Sequence, residues 1–199
     1  MSPPARRDSL EKLEKLIAAL KAKGIITEEE LAERQAQTDR ASPETGARMV
    51  ARAWLDPEWR ALLLRDGTAA AEAMGVSMAG APPLGVLEDT PQRHHLIVCT
   101  LCSCYPRAVL GYPPHWYKSF AYRSRAVRDP RGVLAEWGTV LPEGMEIRVV
   151  DSTADYRWMV LPMRPPGTEG WSEDQLAAIV TRDVLVGVAL PQVPAAAAA

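Results

Sequence analysis

The apolar positions of this chain change their period once, between residues 75 and 83, and the change divides it. Before that point Leu10, Leu13, Leu16, Ile17 and Leu20 recur at helical spacing behind an Asp8–Glu11 capping box until Gly24, which predicts an amphipathic helix. Thr27 with Glu30 opens a second helix over residues 28–40. That stretch has only Leu31 and alanines to bury, so it needs another surface to lie on, and residues 1–40 are expected to form a helical arm rather than part of a compact body. Ser42-Pro43 and Asp56-Pro57 each set a cap residue before a proline at the first helical position and predict two more helices, the second ending near Gly67. Residues 68–74 predict a further short helix that Gly75 ends.

Beyond the small-residue and proline-rich stretch the pattern turns strand-like. Residues 84–88 and 95–98 predict short strands about a turn at Asp89-Thr90-Pro91, and residues 145–151 alternate like a half-buried strand with residues 156–161 as the expected pairing partner. Pro106, Pro113 and Pro114 break the chain between them into short pieces, and Asp129-Pro130 caps a helix through Trp137. Ser172 with Gln175 is a last capping box, and residues 184–190 are apolar without a period that assigns them. Residues 195–199 are a low-complexity tail expected to be disordered. Helices first and strands later predict an α+β fold with residues 41–194 as its globular domain.

Composition narrows the partners. A chain of 199 residues that is 47% hydrophobic can bury one sizeable core. The net charge of −2 argues against nucleic acid or an anionic membrane surface as a partner, so the basic run Arg123, Arg125, Arg128 and Arg131 reads as ion-pairing. No apolar run is long enough to span a membrane and the first residues lack a signal-type apolar stretch, so a cytoplasmic protein is expected.

The chemistry is concentrated in Cys99-Thr100-Leu101-Cys102-Ser103-Cys104, which holds all three cysteines. Spacing i, i+3, i+5 cannot aim three sulfurs one way from a strand or a straight helix, so the segment must curl into a claw. An odd count packed into six residues is no disulfide framework. A metal site is the reading that remains beside three inert, buried small hydrophobes. The spacing leaves the ion open. Tetrahedral zinc would take His94 or His95 as a fourth ligand. An iron–sulfur cluster wants four thiolates where three exist. A strongly polarising trivalent ion would hold the backbone nitrogens of Ser103 and Cys104. The Ser103 hydroxyl either serves that site or bonds its own backbone. No nucleophile elbow or phosphate loop accompanies the claw.

The run Val98 to Pro106, followed by Val109-Leu110-Gly111, Pro113-Pro114, Trp116-Tyr117-Lys118 and Tyr122-Arg123-Ser124-Arg125, resembles the α subunit of nitrile hydratase. The likeness continues through Ile147-Arg148-Val149 and Gly167-Thr168-Glu169 to Thr181-Arg182-Asp183. It implies a helical N-terminal arm wrapping a partner subunit, then a layered α/β/β/α body with mixed sheets. It also implies a low-spin, non-corrin cobalt(III), favoured over iron(III) by Thr100. Cys99 would lie on the axial side of that ion, with the sulfurs of Cys102 and Cys104 and the nitrogens of Ser103 and Cys104 around it. Cys102 would be oxidised to sulfinic and Cys104 to sulfenic acid. The implied reaction hydrates a nitrile to its amide, with the Cys104 sulfenate or an activated water as nucleophile and Ser103 beside it. Partners would be a β subunit whose arginines serve the oxidised sulfurs at a shared active site, in a heterodimer or heterotetramer, and a metallochaperone. Arg107 departs from the pattern, standing where many family members carry a tryptophan that borders the substrate pocket. The cobalt-binding subunit of thiocyanate hydrolase shares the claw and is the alternative enzyme. A zinc-stabilised interaction module is the alternative of another class.

Overall fold

A computed structural model describes residues 3–194, with side chains from Asp8 onward, so the expected tail at 195–199 lies outside the described residues. The chain divides into two compact units, the first Met1–Arg40 and the second beginning at Ala41.

The first unit is a pair of helices, α1 (Pro3–Ala22) and α2 (Glu28–Arg40). Asp8 lies inside α1 instead of capping it; prolines at the helix start supply the preset φ a first turn needs, and the Asp8 carboxylate meets Lys12 one turn on at 2.8 Å. The Thr27–Glu30 box is closed in both directions: Thr27 N–H donates to the Glu30 carboxylate at 2.8 Å and Glu30 N–H to Thr27 Oγ1 at 3.1 Å. Nothing in α2 is buried, and Leu10, Leu13 and Leu16 of α1 are 52%, 50% and 55% exposed.

In the second unit α3 (Pro43–Leu55) is the buried helix, turning Ala47, Met49, Val50 and Ala51 to the core. The Asp56 carboxylate accepts from the N–H groups of Glu58 and Trp59 and starts α4 (Pro57–Arg65); Asp66 does the same for α5 (Gly67–Ala73). There follow β1 (Leu84–Glu88), β2 (Arg93–Val98), α6 (Arg107–Leu110), α7 (His115–Lys118), α8 (Phe120–Arg128) and α9 (Pro130–Glu136). Then come β3 (Glu146–Asp151), β4 (Arg157–Leu161), α10 (Glu173–Ala178), opened by the complete Ser172–Gln175 box, and α11 (Arg182–Leu185).

The α+β composition is as expected, but the strand pairing is not. β3 and β4 are not partners. β1 pairs with β4 in parallel, Leu84 opposite Arg157 through Glu88 opposite Leu161, and β2 pairs with β3 in parallel, Arg93 opposite Glu146 through Val98 opposite Asp151. The sheets are therefore two parallel pairs and not mixed ones. The reason is at the corners. Asp89 N–H donates to Leu161 O at 2.9 Å, ending β1 against β4, and the Thr90–Arg93 bridge then turns the chain into the other sheet. Helices α4 and α5 cover β1, β2 packs on β4, and α8 and α9 back β2 and β3, giving a helix, sheet, sheet, helix order.

The unassigned apolar stretch 184–190 is the end of α11 and a run of chain laid across β2. Ile97 N–H donates to Val186 O at 2.9 Å. Gly187, at φ 78°, passes so close that a Cβ there would lie 1.9 Å from His95 O, so only glycine fits.

Candidate metal centre

β2 delivers the claw. Its last residue, Val98, accepts Ser152 N–H at 2.7 Å, and Cys99 follows at once. Because β2 and β3 run in register, Asp151 at the end of β3 stands under the first turn of the loop. One of its carboxylate oxygens accepts Thr100 N–H at 3.0 Å and the other takes the Thr100 hydroxyl. Arg123 of α8 donates to Thr100 O at 3.3 Å. On the far side Tyr117 OH donates to Cys104 O at 2.8 Å, and its ring meets that of Tyr105 edge to face at 5.0 Å. Tyr122 OH donates to Ile97 O at 2.6 Å and its ring meets Trp116 at 4.9 Å. A carboxylate in front and aromatic rings behind thus hold the loop backbone without using any of its sulfurs.

The three Sγ atoms lie within 4.8 Å of one another. Cys99 and Cys102 are 3.7 Å apart, Cys102 and Cys104 3.3 Å, and Cys102 N–H donates to Cys99 Sγ at 3.3 Å. Cys99 and Cys104 are buried while Cys102 faces outward, so the cluster is closed behind and open in front. The Cys104 thiol and the backbone N–H groups of Ser103 and Cys104 all bond toward Cys102 sulfur and pull its thiol down to about 7. Burial pushes the Cys104 thiol up to about 12. Three soft sulfur donors this close make a set that fits a transition-metal ion.

No histidine completes a tetrahedron. His94 Nδ1 lies 2.9 Å from Asp89 Oδ2 and its Nε2 2.7 Å from Gly187 O, while His95 Nδ1 lies 3.0 Å from Asp89 Oδ1. Both rings are committed at the other end of β2, and among the described residues the metal-competent group is the three cysteines alone. The zinc arrangement with His94 or His95 is therefore not formed.

Ser103, between Cys102 and Cys104 in the loop, is half-buried. Arg107, the first residue of α6, is exposed, its guanidinium carbon 5.9 Å from the centre of the Tyr112 ring. It forms no ion pair among the described residues. His115 is exposed at the start of α7, and its neighbour Trp116 belongs to the packed ring cluster. Sequence reasoning did not single out Asp151; it read Arg123 as part of an ion-pairing run, where the structure sets it on the Thr100 carbonyl, and quoted Tyr117 without giving it a place behind Cys104. Arg157 also escaped notice: its charge favours the thiolate of Cys104, and its Nη1, like Arg123 Nε, is buried without a partner.

A loop that offers three sulfurs from the end of a parallel strand pair and keeps one side open has the form of a metal site with a free coordination position, the kind proteins use for catalysis. Residues 7–189 match the family described as nitrile hydratase, alpha chain, and the chain belongs to that family. It is 47% identical over 196 residues to the low-molecular-weight cobalt-containing nitrile hydratase subunit alpha of Rhodococcus rhodochrous, covering 98% of this chain and 95% of that one. It is 53% identical over 161 residues to the thiocyanate hydrolase subunit gamma of Thiobacillus thioparus, covering 75% of this chain and 66% of that one. Among solved structures, an arginine-to-tryptophan variant of thiocyanate hydrolase superposes with a TM-score of 0.86 at 46% identity, over 92% of this chain and 90% of that one. A variant of the Fe-type nitrile hydratase of Comamonas testosteroni Ni1 superposes with a TM-score of 0.85 at 42% identity, over 98% and 94%. No helix among the described residues is long and apolar enough to cross a membrane.

Proposed function

We propose that this chain is the metal-binding catalytic subunit of a nitrile hydratase, hydrating a nitrile to its amide at cobalt(III) held by Cys99, Cys102, Cys104 and the backbone nitrogens of Ser103 and Cys104. The observation that carries the reading is the gathering of three sulfurs within 4.8 Å on a loop open to one side. Thr100 and the likeness to cobalt-containing relatives favour cobalt over iron(III).

When bound, the trivalent ion supplies Lewis acidity toward the carbon–nitrogen triple bond. Cys102, outward and easily ionised, would be oxidised to sulfinic acid and Cys104 to sulfenic acid by an external oxidant of the dioxygen or peroxide class. The Cys104 sulfenate oxygen would then attack the nitrile carbon; a water, oriented with the substrate by the Ser103 hydroxyl at the mouth, would attack the Cys104 sulfur, breaking its bond to that oxygen and restoring the sulfenate, while the two water protons pass to the nitrile nitrogen to complete the amide. Asp151, Arg123 and Tyr117 hold the loop backbone so that the sulfurs need not reorganise. The buried face formed by Tyr105 and Tyr117 keeps water from reaching Cys104 from behind. A β subunit supplies further donors for the oxidised sulfurs, the arm of residues 1–40 wraps that subunit, and unpaired thiols suit a cytoplasmic setting.

Arg107 favours a second reading, thiocyanate hydrolysis. An exposed guanidinium three residues past Cys104, in place of an apolar indole, suits an anionic or heteroaromatic substrate better than a small aliphatic nitrile. Arg107→Trp in the assembled enzyme tests this with acetonitrile, a heteroaromatic nitrile and thiocyanate, scoring amide against carbonyl sulfide. The substitution is expected to shift the rate ratio toward acetonitrile by roughly tenfold or more, the scale of one pocket contact. Unchanged ratios would show that Arg107 does not set specificity.

A further inference from the structure

The cluster at the far end of β2 has an electrostatic peculiarity that the metal chemistry does not use. His94 is 2% exposed, His95 4% and Asp89 6%, so all three have left water. Around His94 both ring nitrogens face acceptors: Nδ1 faces the Asp89 carboxylate at 2.9 Å and Nε2 the Gly187 carbonyl at 2.7 Å. Neither oxygen can donate. A neutral imidazole has one N–H and one lone pair, so either tautomer would press a lone pair against an oxygen in a dry site. Against the opposing effect of burial, the hydrogen bonds from His94 and His95 hold the Asp89 carboxyl below the ordinary carboxylate range, and with Asp89 ionised only the doubly protonated ring satisfies both contacts.

We infer that His94 is a positioning residue carried as an imidazolium at neutral pH, and that its buried ion pair with Asp89 clamps β2, and with it Cys99, between the β1–β2 corner and the chain that follows α11. Asp89 is built for this. Its Oδ1 accepts His95 N–H at 2.7 Å and meets His95 Nδ1 at 3.0 Å, leaving Oδ2 to His94. The groups that face His94 are few. The corner presents Asp89, the segment after α11 presents the Gly187 carbonyl, and β3 sets Ile147 opposite His94 with Arg148 one step on, opposite His95. His95 shares the Asp89 carboxylate from the same strand. Among the described residues Asp89 is the one charged group acting on the ring, and it raises its proton affinity against the opposing effect of burial. Gly187 completes the clamp, since the glycine that lets the backbone approach β2 also brings its carbonyl within reach of Nε2.

The clamp does not depend on the metal reading; only its service to Cys99 does, and the two are tested separately. The full chain, 15N-labelled at histidine, in the form in which it purifies, has three histidines to observe, assigned by His95→Gln and His115→Gln. The His94 ring is expected to show two protonated nitrogens at pH 7.5. One protonated and one bare nitrogen there would overturn the proposal. His94→Gln and Asp89→Asn are each expected to lower Tm by about 10 °C, because each strands the other partner in a dry site, and the double variant to recover part of the loss. Strictly additive losses would overturn the pairing. The sign with pH follows. The raised His94 value makes its contribution complete below the pKa of an unfolded histidine and lost as pH rises through the folded value. The lowered Asp89 value makes its contribution present above that of a free carboxylate and lost as pH falls through the folded one. Wild type should therefore converge on His94→Gln on the alkaline side. For the service to the claw, Cys99 in the metal-free chain is expected to be alkylated several-fold faster in His94→Gln, well below its Tm. An unchanged rate would mean that the pair stabilises the fold without positioning Cys99.

Discussion

Single replacement of Cys99, Cys102 or Cys104 by serine is expected to take cobalt content and hydration rate together to background. A serine hydroxyl stays protonated where a thiol ionises, and its hard oxygen is a poor donor for an ion that selects soft sulfur. The sulfurs are at most 4.8 Å apart, so each is one corner of a single site and losing one opens the chelate rather than weakening it in proportion. Cys99→Ser should also cost some stability, since it places a hydroxyl at a position 1% exposed, about 1–3 kcal/mol if no partner is found. Cys102 lies at the surface, and its serine variant should fold as wild type does while losing the metal. A graded control separates ligand from support. Asp151→Ala removes the anchor of Thr100 without touching a sulfur, and should cost only about 10–100-fold in metal affinity, as outer partners of metal ligands do. Metal analysis and circular dichroism on the same samples read both quantities. A folded serine variant that keeps a full complement of cobalt would contradict the assignment.

Made without its β subunit, the chain is expected to be poorly soluble or metal-free, and to become active only on co-expression. The arm gives one reason. Leu10, Leu13 and Leu16 form an apolar stripe about half exposed, beside a helix that buries nothing. Fully burying an exposed leucine is worth about 1.5–3 kcal/mol, so covering the remaining half of each of these is worth about 1 kcal/mol, and a partner gains from the whole stripe. The body gives another. Leu101 in the claw is 86% exposed, Phe120 75% and Tyr112 60%, large apolar surfaces that a free subunit would leave in water. Size-exclusion chromatography with activity and cobalt content across the peaks checks this. An isolated, cobalt-loaded, fully active monomer would show the expectation to be wrong.

The site was legible because its chemistry is local. Three cysteines in six residues must curl together whatever surrounds them, and Thr27–Glu30, Asp56-Pro57, Asp129-Pro130 and Ser172–Gln175 carry their capping partners within three residues. What escaped is what depends on pairing. Alternation says which face of a strand is buried and not which strand lies beside it, so the parallel β1–β4 and β2–β3 pairs were hidden, and with them the approach of Asp151 to Thr100. Asp8 carries every local mark of a cap, yet the helix starts earlier, at Pro3, and Asp8 falls inside it. His94 and His95 stand close to the claw in sequence and suggested a fourth ligand. A strand of six residues carries them to the opposite end, where Asp89 and Gly187 hold them. Gly187 itself gave no signal, because the need for a missing Cβ arises only when a distant strand passes 1.9 Å from where it would be.

The central claim is that Cys99, Cys102 and Cys104 form a cobalt centre with two of its sulfurs oxidised. Metal analysis of the purified enzyme, with the mass of the peptide that spans Cys99 to Cys104, tests it in one sample. The account predicts one cobalt per chain, two added oxygens on Cys102, one on Cys104 and none on Cys99. Three free thiols in active enzyme, or zinc in place of cobalt, would contradict it.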